Sequence, residues 1–299
     1  MISAKIIHVA ILSHNFPRLR KFYECLGMKG TDADHSRPFG QEGRDGPLDQ
    51  RSGAARLTDG YVGMNLIGRE AGFQGGFDHF GIDVDDLDLA LARIRERYPN
   101  LGVVKRPSNR PFASFSAHDP GGNVFDLSRA GMENRSGLYA GTGWQQSRRV
   151  HHIQTRVLDP ALVARFYRDV FDLREEEKSL EDPNFYLTDG VVTLVIAPWK
   201  IADYVGTSPV RPGLDHIGFK VESLQAVQQE LAELALPGES NHAIDRDRDK
   251  WTKADSAGSG RALDWMSERD VILRLFATCR YGHYHISDPD GVFVDVSEG

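Results

Sequence analysis

The chain has 299 residues and a formal net charge of −7, from 36 basic and 43 acidic side chains. This negative balance argues against a broad nucleic-acid-binding surface, and no apolar run approaches the roughly 20 residues of a membrane helix. The two cysteines, Cys25 and Cys279, predict neither a disulfide framework nor a cysteine metal site, and they fit a reducing cytoplasm. We therefore expect a cytoplasmic protein that binds neither nucleic acid nor membrane.

The first half of the chain is predicted to contain two modules of the same order. In chain order, its elements are a strand at Lys5–Ile11, a helix at Arg18–Leu26, strands at 54–57 and 60–67, a new strand from Phe77, a helix at Leu87–Arg97, and strands at 103–104, 112–117 and 124–127. Each module is thus a strand, a helix and then further strands.

The second half repeats the first at matching positions. His8 and His152 each precede a Phe-Tyr pair by 14 residues, since 22 − 8 and 166 − 152 are equal. The other matched segments are Asp78-His79 with Asp215-His216, and the turn and strand from Asp119 to Asp126 with those from Asp288 to Asp295. A long internal repeat of this kind predicts a duplicated architecture.

Four such modules predict an α+β protein of two domains. Each domain is expected to hold two strand–helix–three-strand (βαβββ) modules that form a curved, mostly antiparallel sheet around a cavity, with the helices outside. The domains are predicted at 1–130 and 148–299, and the glycine-containing segment 131–147 is predicted to link them.

The last module is longer than its counterpart. His79 and Asp126 are 47 positions apart, whereas His216 and Asp295 are 79 apart, which gives 79 − 47 = 32 extra residues. We place this insertion at 239–275. Its charged and turn-rich composition fits a solvated surface loop or a lid over a functional site.

Each half carries two histidines and a carboxylate in predicted strands. Imidazole and carboxylate are ligands for first-row divalent metals, and two histidines with one carboxylate leave coordination positions open. The metal-ligand candidates are His152, His216 and Asp295 in the second half and His8, His79 and Asp126 in the first. Regular strand alternation would point Asp78, Asp215 and His151 away from the neighbouring candidate histidines. The two aspartates are therefore expected to be edge groups, or outer groups that support the ligands, and not ligands themselves.

The module order, the histidine-containing strands and the Asp-Pro-x-Gly turn before a carboxylate strand resemble the vicinal oxygen chelate superfamily. Four modules on one chain most resemble its type I extradiol ring-cleavage dioxygenases. The resemblance implies a metal held by His152, His216 and Asp295, with Gly291 as the turn glycine. It also implies Fe(II), with Mn(II) as the alternative, dioxygen, and an aromatic catechol-like or enol substrate chelated through vicinal oxygens.

The chain departs from the extradiol pattern at three places. Asp295 stands where the family has Glu, His285 stands where it has an acid–base Tyr, and Phe276 stands where it has an upstream acid–base His. Because His283 shares the strand parity of His285, both histidines are candidate catalytic acid–base groups.

Glyoxalase-type members of the superfamily use a fourth ligand, and the matching positions here are Asn65 and Val195. Valine cannot ligate, so the second half offers a triad, which favours an oxygenase. Two alternatives stay open, a glyoxalase-like metal-dependent lyase or isomerase and a non-catalytic small-molecule-binding protein. The sequence also leaves a homo-oligomer open.

Overall fold

A computed structural model describes residues 1–13, 16–30, 54–69, 75–108, 112–129, 146–203, 211–234, 279–282 and 284–299. The predicted insertion at 239–275, His283 and most of the predicted linker lie outside the described residues. Within the described ranges, no helix has the length and apolar character required to cross a lipid bilayer.

The first half contains eight strands and two helices among its described residues. They are β1 (Ala4–Ser13), α1 (Phe16–Cys25), β2 (Lys29–Gly30), β3 (Ala54–Thr58), β4 (Gly63–Gly68), β5 (Gly76–Val84), α2 (Leu87–Arg97), β6 (Val103–Lys105), β7 (Phe115–His118) and β8 (Val124–Arg129). The order of two strand–helix–three-strand modules is the predicted one.

The second half repeats this order with seven strands in the part of the chain that the structure describes. Its elements are β9 (Arg149–Val157), α3 (Pro160–Phe171), β10 (Arg174–Glu175), β11 (Phe185–Thr188), β12 (Thr193–Pro198), β13 (Gly213–Val221), α4 (Leu224–Leu234), β14 (Tyr284–Ser287) and β15 (Phe293–Glu298).

The strands form two mixed sheets, one in each half. Their orders are β2-β3-β4-β1-β5-β8-β7-β6 and β10-β11-β12-β9-β13-β15-β14. The described part of the first sheet has five antiparallel and two parallel strand pairs. Among the described strands, neither sheet closes into a barrel. The α+β class is therefore confirmed, whereas the exact domain boundaries stay a prediction.

The first strand of each module lies at the centre of its sheet. β1 pairs with β5, and β9 pairs with β13, both antiparallel. Each central strand also pairs in parallel with the last strand of its own module, as β13 does with β15. Side chains from these neighbouring strands can therefore meet on one face of the sheet.

The two halves contact each other through matching groups. The hydroxyl of Tyr23 on α1 donates to Asp288 Oδ2 at 2.9 Å, and that of Tyr167 on α3 donates to Asp119 Oδ2 at 3.0 Å. The aromatic pairs that the sequence places on α1 and α3 are buried, as expected for core positions. The duplication seen in the sequence thus extends to the contacts between the halves.

Candidate metal centre

The structure brings His152, His216 and Asp295 together on the face of the second sheet. His152 Nε2 lies 3.2 Å from His216 Nε2 and 3.5 Å from Asp295 Oδ2, and His216 Nε2 lies 3.9 Å from that oxygen. All three side chains are buried. Two imidazole nitrogens and a carboxylate oxygen at these separations can share one divalent ion.

A β-bulge precedes each candidate histidine of the second sheet. Leu214 pairs with Thr155 and His216 with Gln154, so Asp215 is an extra residue in β13. Regular alternation predicted that Asp215 would point away from His216, and that prediction is wrong. The bulge breaks the alternation, and Asp215 Oδ2 lies 2.7 Å from His216 Nδ1.

The contact with Asp215 fixes which ring nitrogen of His216 can bind a metal. A carboxylate accepts hydrogen bonds, so Nδ1 carries the proton and Nε2 keeps its lone pair for an ion. Burial opposes protonation of His216, but Asp215 outweighs it and raises the pKa of the imidazole. Arg156 Nε donates to Asp215 Oδ1 at 2.9 Å, and Gln154 Nε2 donates to Oδ2 at 3.0 Å.

His151 is the extra residue of the second bulge, in β9. Its Nδ1 lies 3.2 Å from His152 Nδ1, and its ring packs edge-on against Tyr281 at 4.6 Å between centroids. The prediction that His151 faces away from His152 is therefore also wrong. Burial, together with the neighbouring His152, lowers the pKa of His151 to about 3, so this ring is neutral at physiological pH.

Asp295 is a buried carboxylate suited to a cation. Neither of its oxygens makes a hydrogen bond to the described residues. Burial opposes ionisation, but His152, His216 and His285 outweigh it and lower the pKa of Asp295. An ionised carboxylate with unsatisfied buried oxygens is costly unless a cation compensates it. The residues therefore fit a bound divalent metal.

His285 lies beside this carboxylate, as the strand pairing requires. His285 on β14 is directly opposite Asp295 on β15, and its Nδ1 lies 3.3 Å from Asp295 Oδ1. In the first half the same place is taken by Ser116, which is opposite Asp126 and donates a hydrogen bond to it. The two halves thus differ at the group that contacts the carboxylate.

Two glycines make room for the second-half cluster. A Cβ on Gly218 would lie 1.9 Å from the His152 ring, and a Cβ on Gly282 would lie 2.2 Å from Asp295 Oδ2. Both distances are far below van der Waals contact, so any larger residue would displace a candidate ligand. The close approach of the backbone explains why glycine occupies these positions.

Cys279 joins the cluster, which the sequence did not predict. Its Sγ is within 4.8 Å of the ligand atoms of His152, His216 and Asp295, and it lies 4.0 Å from His152 Nε2. Cys279 is therefore a candidate ligand at a place where the sequence predicted no cysteine metal site. Cys279 has no matching cysteine or histidine in the first half, so the repeat gave no signal for it.

The first half brings its own three candidates together. His8 Nε2 and Asp126 Oδ2 each lie 3.2 Å from His79 Nε2, and all three residues are buried. Asp78 is the extra residue of a β-bulge in β5, and its Oδ2 lies 2.6 Å from His79 Nδ1. Burial opposes protonation of His79, but Asp126 and Asp78 outweigh it and raise its pKa.

An apolar ring covers the first-half cluster. Phe112 stacks on His8 with 4.7 Å between centroids and an interplanar angle of 14°. Tyr281 takes the corresponding place in the second half, 5.2 Å from the His152 ring. Its hydroxyl donates to Glu176 at 2.6 Å. The second cluster is thus bordered by polar and ionisable groups, whereas the first is capped by phenylalanine.

No protein-family model matches the sequence, and no curated protein sequence is significantly similar to it. Solved structures, in contrast, match nearly the whole chain. The 2,3-dioxygenase LapB from Pseudomonas sp. KL28 is 16% identical, with a TM-score of 0.57, over 99% of this chain and 92% of that one. A Mn(II)-bound glyoxalase from Novosphingobium aromaticivorans is 14% identical, with a TM-score of 0.57, over 98% and 81%.

A further match is a fusion protein of a xylose isomerase-like TIM barrel and 4-hydroxyphenylpyruvate dioxygenase. It is 14% identical, with a TM-score of 0.55, over 98% of this chain, which spans about half (48%) of the fusion protein. Identities this low establish the fold and not the activity. The chain has the fold shared by the extradiol dioxygenases and glyoxalases of the vicinal oxygen chelate superfamily.

Proposed function

We propose that the protein is a metal-dependent oxygenase of the extradiol type, acting on a catechol-like or enol substrate through two vicinal oxygens. The observation that supports this most is the buried group of His152, His216 and Asp295, in which both carboxylate oxygens lack a hydrogen bond among the described residues. Two histidines and one carboxylate are the ligand set of non-haem Fe(II) oxygenases. We propose Fe(II) as the metal, with Mn(II) as the alternative.

A divalent ion held by these three residues supplies Lewis acidity and a template that brings the substrate and dioxygen together. Asp215 keeps the proton of His216 on Nδ1, and Arg156 holds Asp215 in turn. Such outer contacts orient a ligating histidine and strengthen it as a donor. Burial of the whole group excludes water from the reacting atoms.

We propose His285 as the group that holds or moves a proton during the reaction. Its imidazole lies next to Asp295, where it can reach a substrate bound at the same metal. Replacement of His285 by Ser, the residue at the matching place in the first half, should lower kcat by about 10²- to 10⁴-fold. Metal content should stay unchanged, because His285 is not a proposed ligand. His283, the second proposed catalytic histidine, should show a smaller effect when changed to Ser.

The decisive experiment measures metal content and dioxygen consumption together. Protein purified without oxygen is loaded with Fe(II) and mixed with a panel of catechols, and oxygen uptake is followed with an electrode. We expect His216→Ala to lose the ion of the second-half site and, with it, oxygen uptake. His118→Ala is the matched control, because His118 lies on β7, outside both clusters. Equal oxygen uptake by His216→Ala and the unaltered protein would refute the proposal.

Cys279 supports a second candidate function, a metal-dependent lyase or isomerase that needs no dioxygen. With Cys279 as a fourth ligand beside the triad, a six-coordinate ion would have two positions left. A chelating substrate would fill both of them and leave none for dioxygen. The oxygen-uptake experiment separates the two candidates. Product formation under strict anaerobiosis, with no dependence on the oxidation state of the metal, would favour the lyase or isomerase.

We also propose that His8, His79 and Asp126 hold a second, closed metal site. Asn65 pairs with Ala10 on β1, and Ala10 pairs with His79 on β5, so the side chains of Asn65 and His79 share one face of the sheet. Asn65 Oδ1 is buried without a hydrogen bond among the described residues, which suits a fourth ligand.

Metal analysis tests the proposed second site. We expect about two ions per chain in the unaltered protein and the loss of one in His8→Ala. One ion per chain in both proteins would refute the second site.

A further inference from the structure

We propose that Cys279 is a fourth, exchangeable ligand of the second-half metal site. This inference rests on the proposed metal centre at His152, His216 and Asp295, and it names a ligand that the repeat of the chain does not contain. Cys279 Sγ lies 4.0 Å from His152 Nε2 and within 4.8 Å of the ligand atoms of all three residues. At these separations the four atoms can surround one divalent ion.

The surroundings of Cys279 explain how it reaches this place. Val195 pairs with Gln154 on β9, and Gln154 pairs with His216 on β13, so the side chains of Val195 and His216 share one face of the sheet. Val195, which cannot ligate, forms a small buried cluster with Cys279 and Tyr186. Cys279 therefore lies beside Val195, and its thiol can supply the ligand that the valine side chain cannot.

A second observation indicates that Asp295 can accept a cation in addition to its histidine neighbours. Asp295 is 1% exposed, yet neither of its carboxylate oxygens accepts a hydrogen bond from the described residues. A thiol is a poor donor for such a carboxylate, but a metal ion satisfies a thiolate and a carboxylate together. On binding the ion, the thiol forms the S–metal bond and releases its proton to solvent.

Cys279 differs from the other ligands in its backbone support. The triad lies on β9, β13 and β15 in the interior of the sheet, whereas Cys279 lies in the turn that precedes β14. A ligand on a turn moves more easily than one on a paired strand. A chelating substrate that needs an extra coordination position would therefore displace Cys279 before it displaces His152, His216 or Asp295.

Cobalt(II) substitution of the full-length protein tests this inference without any activity measurement. Co(II) bound to a thiolate absorbs in the near ultraviolet by charge transfer, whereas its visible absorption reports any bound ligand set. We expect both signals in the unaltered protein. Cys279→Ser should lose the near-ultraviolet band, keep the visible band and bind Co(II) at least about 10-fold more weakly. Cys25→Ser is the matched control and should keep both bands, because Cys25 lies outside the cluster.

The outcomes separate this inference from the proposed function. Retention of the near-ultraviolet band in Cys279→Ser would overturn the role of Cys279 and leave the metal site standing. The same conclusion would follow if the unaltered protein lacks this band although His216→Ala lowers Co(II) binding by one ion per chain. Co(II) binding that His216→Ala does not affect would overturn both. Addition of unsubstituted catechol, whose own absorption does not overlap this band, should abolish the near-ultraviolet band of the Co(II) protein. Persistence of the band after a change in the visible absorption has shown that catechol binds would overturn the exchange.

Discussion

Asp288 carries a buried charge at the contact between the two halves, and its removal should stabilise the protein in a pH-dependent manner. The side chain is 1% exposed and accepts hydrogen bonds from the Tyr23 hydroxyl at 2.9 Å and from the backbone amides of Asp290 and Val292. Burial, which these hydrogen bonds only partly offset, raises the pKa of Asp288 from 3.8 to about 7.

The sign and size of the effect follow from this shift. Well below pH 4 the carboxyl of Asp288 is protonated in the folded and unfolded chain, so it carries no charge penalty. As pH rises from about 4 to about 7 the unfolded state ionises first, and the folded state becomes progressively less stable. The shift from 3.8 to about 7 corresponds to about 4 kcal/mol at 1.36 kcal/mol per pH unit, reached in full above about pH 8.

Asp288→Asn removes the charge while keeping the shape and the acceptor for the two backbone amides. We expect its free energy of unfolding, relative to the unaltered protein, to rise by up to about 4 kcal/mol between pH 4 and pH 8. Urea unfolding followed by tryptophan fluorescence and circular dichroism at each pH measures this difference. A relative stability that does not change with pH would refute the reasoning.

Asp119 provides the matched control from the other half. It accepts a hydrogen bond from Tyr167, as Asp288 does from Tyr23, but it also accepts one from the Asn123 side chain at 2.8 Å. Val292 stands at the place of Asn123 and has no side-chain donor. Because the extra donor favours the ionised form, Asp119→Asn should show a smaller rise in relative stability over the same pH range.

Three further substitutions test the support of the second-half site. Gly218→Ala should weaken metal binding more than 10-fold in a Co(II) titration, because the new Cβ would lie 1.9 Å from the His152 ring. Gly102→Ala is the control and should leave metal binding unchanged, because its Cβ would lie 3.7 Å from the nearest atom, on His118. Asp215→Asn should weaken metal binding about 10- to 100-fold in the same titration, and full affinity would contradict the role of Asp215 in orienting His216. Arg156→Leu leaves Asp215 buried without its 2.9 Å ion pair and should cost about 3–5 kcal/mol in urea unfolding; a loss below about 1 kcal/mol would show that Asp215 is otherwise compensated.

The repeat in the sequence determined most of the architecture. Four modules of one order were predicted from the equal spacings of His8 and His152 to the Phe-Tyr pairs and from the two Asp-His segments. The sheets follow that order. The helix predicted at Leu87–Arg97 has those same bounds. These features are local or periodic, so residue order alone carries them.

Tertiary structure decided the details of the metal centre. A β-bulge is an extra residue in one strand of a pair, so it becomes visible only once the pairing is known. For that reason the sequence predicted that Asp215 faces away from His216. The bulge instead places Asp215 Oδ2 2.7 Å from His216 Nδ1. Cys279 lies 127 residues from His152, and no repeat or spacing links them. Only the packing of the folded chain, which places distant residues side by side, brings a thiol to the two histidines and the carboxylate.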